Sequence, residues 1–186
     1  SEPVQQQRRM LTVSAKVPAH ALYKSYHMPG RFHPDFYAAD LISDLLSRGH
    51  SSRLYNQLVK ERELFTSISS FTMGTLDPGM LVVSGRVKEG ISLTDAEAHV
   101  DHVIQQLIQD GPDAEELLKV KNQALTTLEF EKVEVLNRAM NLAFAALSGN
   151  MERINQEPDK IESVSREDII RVGAEVLRES NSSTLY

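Results

Sequence analysis

The segments that alternate apolar and polar residues come in adjacent pairs, and this constrains the fold of the 186-residue chain more than any other feature. Parallel neighbours need a long, usually helical crossover, whereas strands that follow one another directly pair antiparallel across a turn. Met10–Val17 places Leu11, Val13, Ala15 and Val17 on one face and Thr12, Ser14 and Lys16 on the other. That period of two predicts a strand with one buried face. Pro18 ends it, and a second strand is predicted over Ala21–Met28, closed by Pro29-Gly30. The next pair, Phe65–Phe71 and Met80–Val87, flanks the turn sequence Asp77-Pro78-Gly79. Ser182–Tyr186 reads as one more strand beginning.

Helices fill the intervals. Pro34 and Asp35 open one, with Phe36, Ala39, Ile42, Leu45 and Leu46 as its apolar stripe and Gly49 just past its end. Ser51 or Ser52 is the expected cap of the next, which carries Leu54, Leu58 and Val59 to about residue 63. After the second strand pair, Thr94 and Glu97 form a capping-box pattern ahead of Val100, Val103, Ile104, Leu107 and Ile108. Gly111-Pro112 stops that helix and Asp113 with Glu116 starts another, with Leu117, Val120, Ala124, Leu125 and Leu128 on one face. Val133–Leu147 is helical too, through Leu136, Ala139, Met140, Ala143 and Leu147, either continuous with the preceding helix or separate from it. Residues 150–163 are polar and expected to be irregular, and Ser165 with Asp168 caps a last helix reaching Leu177. This order predicts an α+β fold: a two-layer sandwich of a mainly antiparallel sheet with helices packed on one face. Nothing splits residues 9–186, which are expected to form a single domain behind a frayed polar lead, residues 1–8. A first residue that is not Met, and a last segment that reads as a strand just starting, suggest a piece of a longer protein.

Composition narrows the function. A net charge of −6 argues against nucleic acid as a partner, because phosphate binding needs a basic face. Without cysteine there are no disulfides, thiolate zinc sites or cysteine nucleophiles. No apolar run approaches the roughly 20 residues of a membrane span. The compartment is open, with the cytoplasm as the default expectation.

No constellation of residues makes an active site. Of the six histidines, His99 and His102 alone share a helical spacing, and a metal there lacks a third placed ligand, since Glu97 and Asp101 are expected to point elsewhere. His27 and His33 flank a turn. In Gly49-His50-Ser51-Ser52-Arg53 a histidine adjoins a serine, but the serines occupy helix-cap positions. Lys60-Glu61-Arg62-Glu63 reads as a solvated helix end. Asp110, Asp113, Glu115 and Glu116 cluster at a helix start, where the dipole favours them, without the loop spacing that calcium requires.

The order of motifs carries more. His27-Met28-Pro29-Gly30, a helix, Gly49-His50-Ser51-Ser52-Arg53-Leu54-Tyr55, Leu58-Val59-Lys60-Glu61-Arg62-Glu63-Leu64-Phe65, and Asp77-Pro78-Gly79 before a strand resemble the C-terminal domain of the insulinase-type zinc metallopeptidases. That family includes pitrilysin and the mitochondrial processing peptidase. Glu116-Leu117-Leu118-Lys119-Val120-Lys121 and Val164-Ser165-Arg166-Glu167-Asp168-Ile169 are similar to two further family helix motifs, so the resemblance runs from about residue 9 to 186. It implies a two-layer α+β processing-peptidase fold with no cofactor of its own. The catalytic zinc and its H-x-x-E-H motif belong to the preceding N-terminal domain, so no catalytic or metal residue carries over. The implied partners are that zinc-bearing domain, or a homologous subunit, and an unfolded peptide. Some members hold substrate with an Arg and a Tyr from this half; Phe71–Val87 offers Arg86 without a Tyr, and the nearby loop has Thr75 in place of a basic residue, so substrate-binding residues stay unassigned. Ser67 and Ser69 either line the peptide chamber or pack under a helix. The alternative implied by the resemblance is a catalytically inactive paralogue acting as a binding or structural subunit. An independent module built on His99 and His102 is the remaining reading.

Overall fold

A computed structural model describes residues 4–147 and 149–186. It contains β1 (Arg9–Leu11), β2 (Ala21–Met28), α1 (Phe36–Ser47), β3 (Phe65–Met73), β4 (Gly79–Val87), α2 (Leu93–Asp110), α3 (Ala114–Glu131), α4 (Val135–Leu147), α5 (Arg153–Ser163), α6 (Arg166–Val176) and β5 (Ser182–Leu185). The strands form one sheet in the order β1-β5-β2-β4-β3, antiparallel throughout except for the β1–β5 pair. Helices α1, α2 and α6 pack on one face, so the α+β two-layer expectation describes this fold.

Alternation in β2 decides which face is covered. Leu22, Lys24, Tyr26 and Met28 are buried, while Tyr23 and His27 between them are exposed. Leu81, Val83 and Val87 of β4 continue the inner face and meet Phe36, Ile42, Leu45 and Leu46 of α1 and Val100, Val103, Ile104 and Leu107 of α2. Gly85 leaves room for the Phe65 ring, since a Cβ there would lie 2.6 Å from it.

Caps follow the sequence at two helices. Asp113 with Glu116 and Ser165 with Asp168 form complete capping boxes. At α2 the cap is Ser92, whose hydroxyl accepts from the Asp95 N–H at 3.1 Å, and not Thr94. Glu97 is thereby released from capping and turns into the core.

Other expectations need correction. The first strand ends at Leu11, and beyond it the Val13 N–H donates to the Tyr186 carbonyl. Val13 and Val17 are therefore exposed. Within the lead, Gln5 is buried and donates to the Ser182 carbonyl at 2.7 Å, while residues 1–3 lie outside the described residues. Tyr55–Glu61 forms a π-helical turn, and the Ser52 hydroxyl is buried with no protein partner instead of capping it. α3 and α4 are separate helices. Residues 153–163 are helical despite Pro158, with Glu157 accepting from Arg31 at 2.7 Å and from the Tyr37 hydroxyl at 3.1 Å. The α4 stripe faces solvent and its Ala145 faces inward.

Truncation of the fully buried Leu46 to Ala is expected to lower unfolding free energy in urea by about 2–5 kcal/mol, and Leu118→Ala, on the surface, by less than about 0.5 kcal/mol. Gly85→Ala is expected to cost about 1–3 kcal/mol by displacing the Phe65 ring. Equal midpoints for the three variants would contradict this packing.

Candidate functional site

The sequence candidates scatter. His99 is half-buried on α2 and His102 is exposed, and among the described residues no three His, Asp or Glu groups are placed to hold a metal. The His50 ring packs edge-on against Tyr55, 4.8 Å between centroids. Ser51 accepts from the Lys119 amine at 2.9 Å. Arg53 forms a two-pronged pair with Glu116, at 3.0 and 2.7 Å, and donates to the Gly111 carbonyl. The Gly49–Arg53 motif is thus a clamp between the π-helical turn and the start of α3, with Glu116 paired to Arg53 and Asp113 capping α3. His33 accepts from the Asp35 N–H, while His27 lies on β2 in the sheet. In the mixed-charge run, Glu63 reaches Lys88 at 2.9 Å.

A buried polar cluster joins α2 to the sheet. Lys24 is 2% exposed, and its amine lies 2.8 Å from Glu97 and 2.5 Å from Asp101. Glu97 also accepts from Arg8 at 2.6 Å, from Thr184 at 2.9 Å and from the Tyr186 hydroxyl. Both acids therefore turn toward the sheet, contrary to the sequence expectation; their i, i+4 spacing puts them on one side of the helix. Burial opposes the charge of Glu97, but hydrogen bonds from Lys24, Tyr186 and Thr184 outweigh it and hold the carboxyl below its ordinary range. Burial dominates at Asp101 and raises its carboxyl despite Lys24. Both oxygens of Glu97 are occupied, so the cluster fastens the helix to the sheet.

What remains uncovered is the outer face of the sheet. Strand register sets its residues in rows: Met73, Met80 and His27; Phe71, Val82, Ser25 and Ser183; Ser69, Ser84, Tyr23 and Leu185; Ser67 beside Arg86. Tyr23, Phe71, Met73 and Met80 are exposed there. Ser69 and Ser84 share a hydrogen bond at 3.2 Å across the strands. Ser67 and Ser69 are exposed on this face, so they do not pack under a helix. The face combines apolar side chains with small hydroxyls, an arrangement suited to contacting an extended polypeptide. Tyr23 was not singled out from sequence, yet it lies on the same face as Arg86, one row away. Its signal was its outward place in the alternation of β2.

Residues 1–124 match the family model described as the peptidase M16 inactive domain. Comparison with curated proteins finds no match. Among solved structures, a protease from Helicobacter pylori is similar with a TM-score of 0.91 and 21% identity, over 98% of this chain and 45% of that one. The inactive peptidase domain of a candidate zinc protease from Bordetella parapertussis has a TM-score of 0.81 and 24% identity, over 92% of this chain and 94% of its own. A candidate zinc protease from Bordetella pertussis Tohama I has a TM-score of 0.79 and 26% identity, over 88% of this chain and 91% of its own. The chain therefore spans less than half of the Helicobacter protein and nearly all of the two Bordetella structures.

Glu97→Gln is expected to cost about 3–5 kcal/mol at pH 7, because Lys24 keeps a buried charge with less compensation. Asp101→Asn, at a side chain 40% exposed, is expected to cost less than about 1 kcal/mol. The two acids also act oppositely with pH. Glu97, lowered in the fold, contributes stability that is full above its unfolded value of about 4.3 and is lost as pH falls through its folded value. Asp101, raised in the fold, contributes stability that is present below its unfolded value and is lost as pH rises through its folded value. Urea unfolding across pH 3–7 is therefore expected to show a flatter acid limb in Glu97→Gln and a steeper one in Asp101→Asn.

Proposed function

The chain belongs to the peptidase M16 inactive-domain family, and on that premise we propose that it is the non-catalytic C-terminal domain of a zinc-dependent metallopeptidase, closing a peptide chamber against a zinc-bearing N-terminal domain. The observation that carries this reading is the uncovered sheet face. A sheet with helices on one side normally exposes a polar outer face, and here that face holds Tyr23, Phe71, Met73 and Met80. Turned toward a second domain, it becomes an interior wall.

The mechanism assigns no bond-breaking step to this chain. A zinc ion held by the other domain would supply the activation of the nucleophile there, and no residue of this chain is assigned to hold it. This domain contributes what a wall can contribute. It excludes bulk water, which strengthens electrostatic interactions at the reacting bond. It holds an extended peptide through apolar contacts from Phe71 and Met73 and through the hydroxyls of Ser67, Ser69 and Ser84. Tyr23 and Arg86 offer a phenol and a guanidinium, both able to donate to peptide carbonyls. Holding the peptide in one alignment reduces the entropy that the chemical step must overcome.

The test joins this chain to its zinc-bearing partner domain and measures peptide cleavage. The chain alone is expected to neither retain zinc on dialysis nor hydrolyse peptides. Phe71→Asp with Met73→Asp is expected to lower kcat/KM of the joined protein by about tenfold or more, roughly 1.4 kcal/mol, with zinc content unchanged. Stoichiometric zinc with hydrolysis by the chain alone would overturn the reading. So would full activity in the doubly charged variant.

A further inference from the structure

A cavity of about 510 Å³ opens where the β3–β4 turn meets α4 and α5. Its volume lies within the roughly 300–1,000 Å³ of small-ligand sites. Four apolar side chains from four segments wall it: Phe32 after β2, Leu76 of the turn, Phe144 of α4 and Ile154 of α5. Its polar groups are few, and they differ in what they already hold. Arg31 donates to Glu157 at 2.7 Å, and the Tyr37 hydroxyl donates to the same carboxylate at 3.1 Å, so that acid is already neutralised. Arg153 is different. Its guanidinium lies 3.8 Å from the centroid of the Phe32 ring and donates to the Arg31 carbonyl at 3.3 Å. Among the described residues it forms no ion pair. A guanidinium carries five N–H donors, so most of its capacity is unused. The half-buried Asn141 side chain, in the same wall, has no hydrogen-bond partner among the described residues.

We propose that this cavity binds the C-terminus of a peptide whose last residue is apolar, with the carboxylate on Arg153 and the last side chain among Leu76, Phe144 and Ile154. Charge selects the anion. The lining carries two arginines and one acid, a surplus of one positive charge in a chain whose net charge is −6. That surplus matches a monoanionic carboxylate, which a planar guanidinium grips through two parallel hydrogen bonds. Stacking on Phe32 holds the guanidinium in place before the ligand arrives, so less freedom is lost on binding. The apolar walls select what carries the charge, because a hydrocarbon side chain gains by leaving water there. Asn141 selects a peptide over a simple acid: its amide can both donate to and accept from a backbone peptide group. The site goes beyond the chamber reading. It needs neither zinc nor a second domain, and it uses none of the side chains assigned to the chamber wall.

Fluorescence anisotropy of the 186-residue chain with an N-terminally labelled tetrapeptide ending in phenylalanine tests the proposal. The free acid is expected to bind at least tenfold more tightly than the same peptide with a C-terminal amide. Arg153→Gln is expected to erase that difference by weakening the free acid alone. Leu76→Asp, at an exposed position of the turn, sets an anion beside the carboxylate. It is expected to weaken the free acid by at least tenfold with the urea midpoint of the chain unchanged. Phe71→Asp with Met73→Asp, on the sheet face, is expected to leave binding intact. Equal affinities for acid and amide would overturn the proposal, as would no binding of the free acid up to millimolar concentration. Binding that the double sheet-face variant removes and Arg153→Gln leaves would overturn it too, and would assign the peptide to the sheet. Phenylpropionate binding as tightly as the peptide would overturn the choice of a peptide and assign the cavity to small aromatic acids. Failure of the chamber reading would show in cleavage by the joined protein, which none of these readouts uses.

Discussion

The buried amine of Lys24 is the constraint on which the remaining architecture depends. An ammonium removed from water in the middle of a sheet is costly unless anions and hydrogen bonds surround it. α2 supplies both anions, Glu97 and Asp101. Glu97 then gathers Arg8 from ahead of β1, Thr184 from β5 and Tyr186 from just beyond it. One carboxylate therefore fastens α2 to both ends of the described chain. The sheet needs such a device because β5 inserts between β1 and β2, pairing parallel on one side and antiparallel on the other. The apolar face already opposes a one-residue slip, which would turn Leu22, Tyr26 and Met28 outward. A one-residue slip of β2 would carry Lys24 to the outer face and strand Glu97. Through the period of two, the same fixed register places Tyr23, Ser25 and His27 outward.

The fold was legible wherever a local rule decided the outcome. The adjacent strands β3 and β4 pair antiparallel as expected, whereas β1 and β2 are separated by β5, and the boxes at Asp113 and Ser165 mark helix starts that the structure reproduces. It was illegible wherever a distant partner decided. Gln5 and Arg8 read as a polar lead because their partners, Ser182 and Glu97, lie about 177 and 89 residues away. The helix over 153–163 read as irregular because of Pro158, yet Arg31 and Tyr37 hold its Glu157. Lys24 did leave a local trace: it occupies an inward slot between Leu22 and Tyr26. A lysine there requires a buried acid, and Glu97 with Asp101 at i, i+4 was the matching pair.

The candidate face was half legible for a related reason. Alternation identifies which residues share a side of a strand, so Ser67 and Ser69 could be grouped from sequence. It does not say what covers that side. α4 is the same lesson in a helix: the recurrence of Leu136, Ala139, Met140, Ala143 and Leu147 marks a helical stretch, but periodicity carries no information about the neighbour, and the stripe faces solvent.

The two uncovered surfaces differ in chemistry, and the difference suits different kinds of contact. The sheet face mixes Phe71, Met73 and Tyr23 with Ser67, Ser69, Ser84 and Arg86, and its hydroxyls can be satisfied by water or by a peptide backbone. Such a face can be emptied and refilled without stranding a polar group, which a chamber wall requires. The α4 stripe offers hydrocarbon almost exclusively, so its free state is penalised by hydration in proportion to area. A contact that turns over with every substrate molecule gains from the first kind of surface. A contact that persists gains from the second.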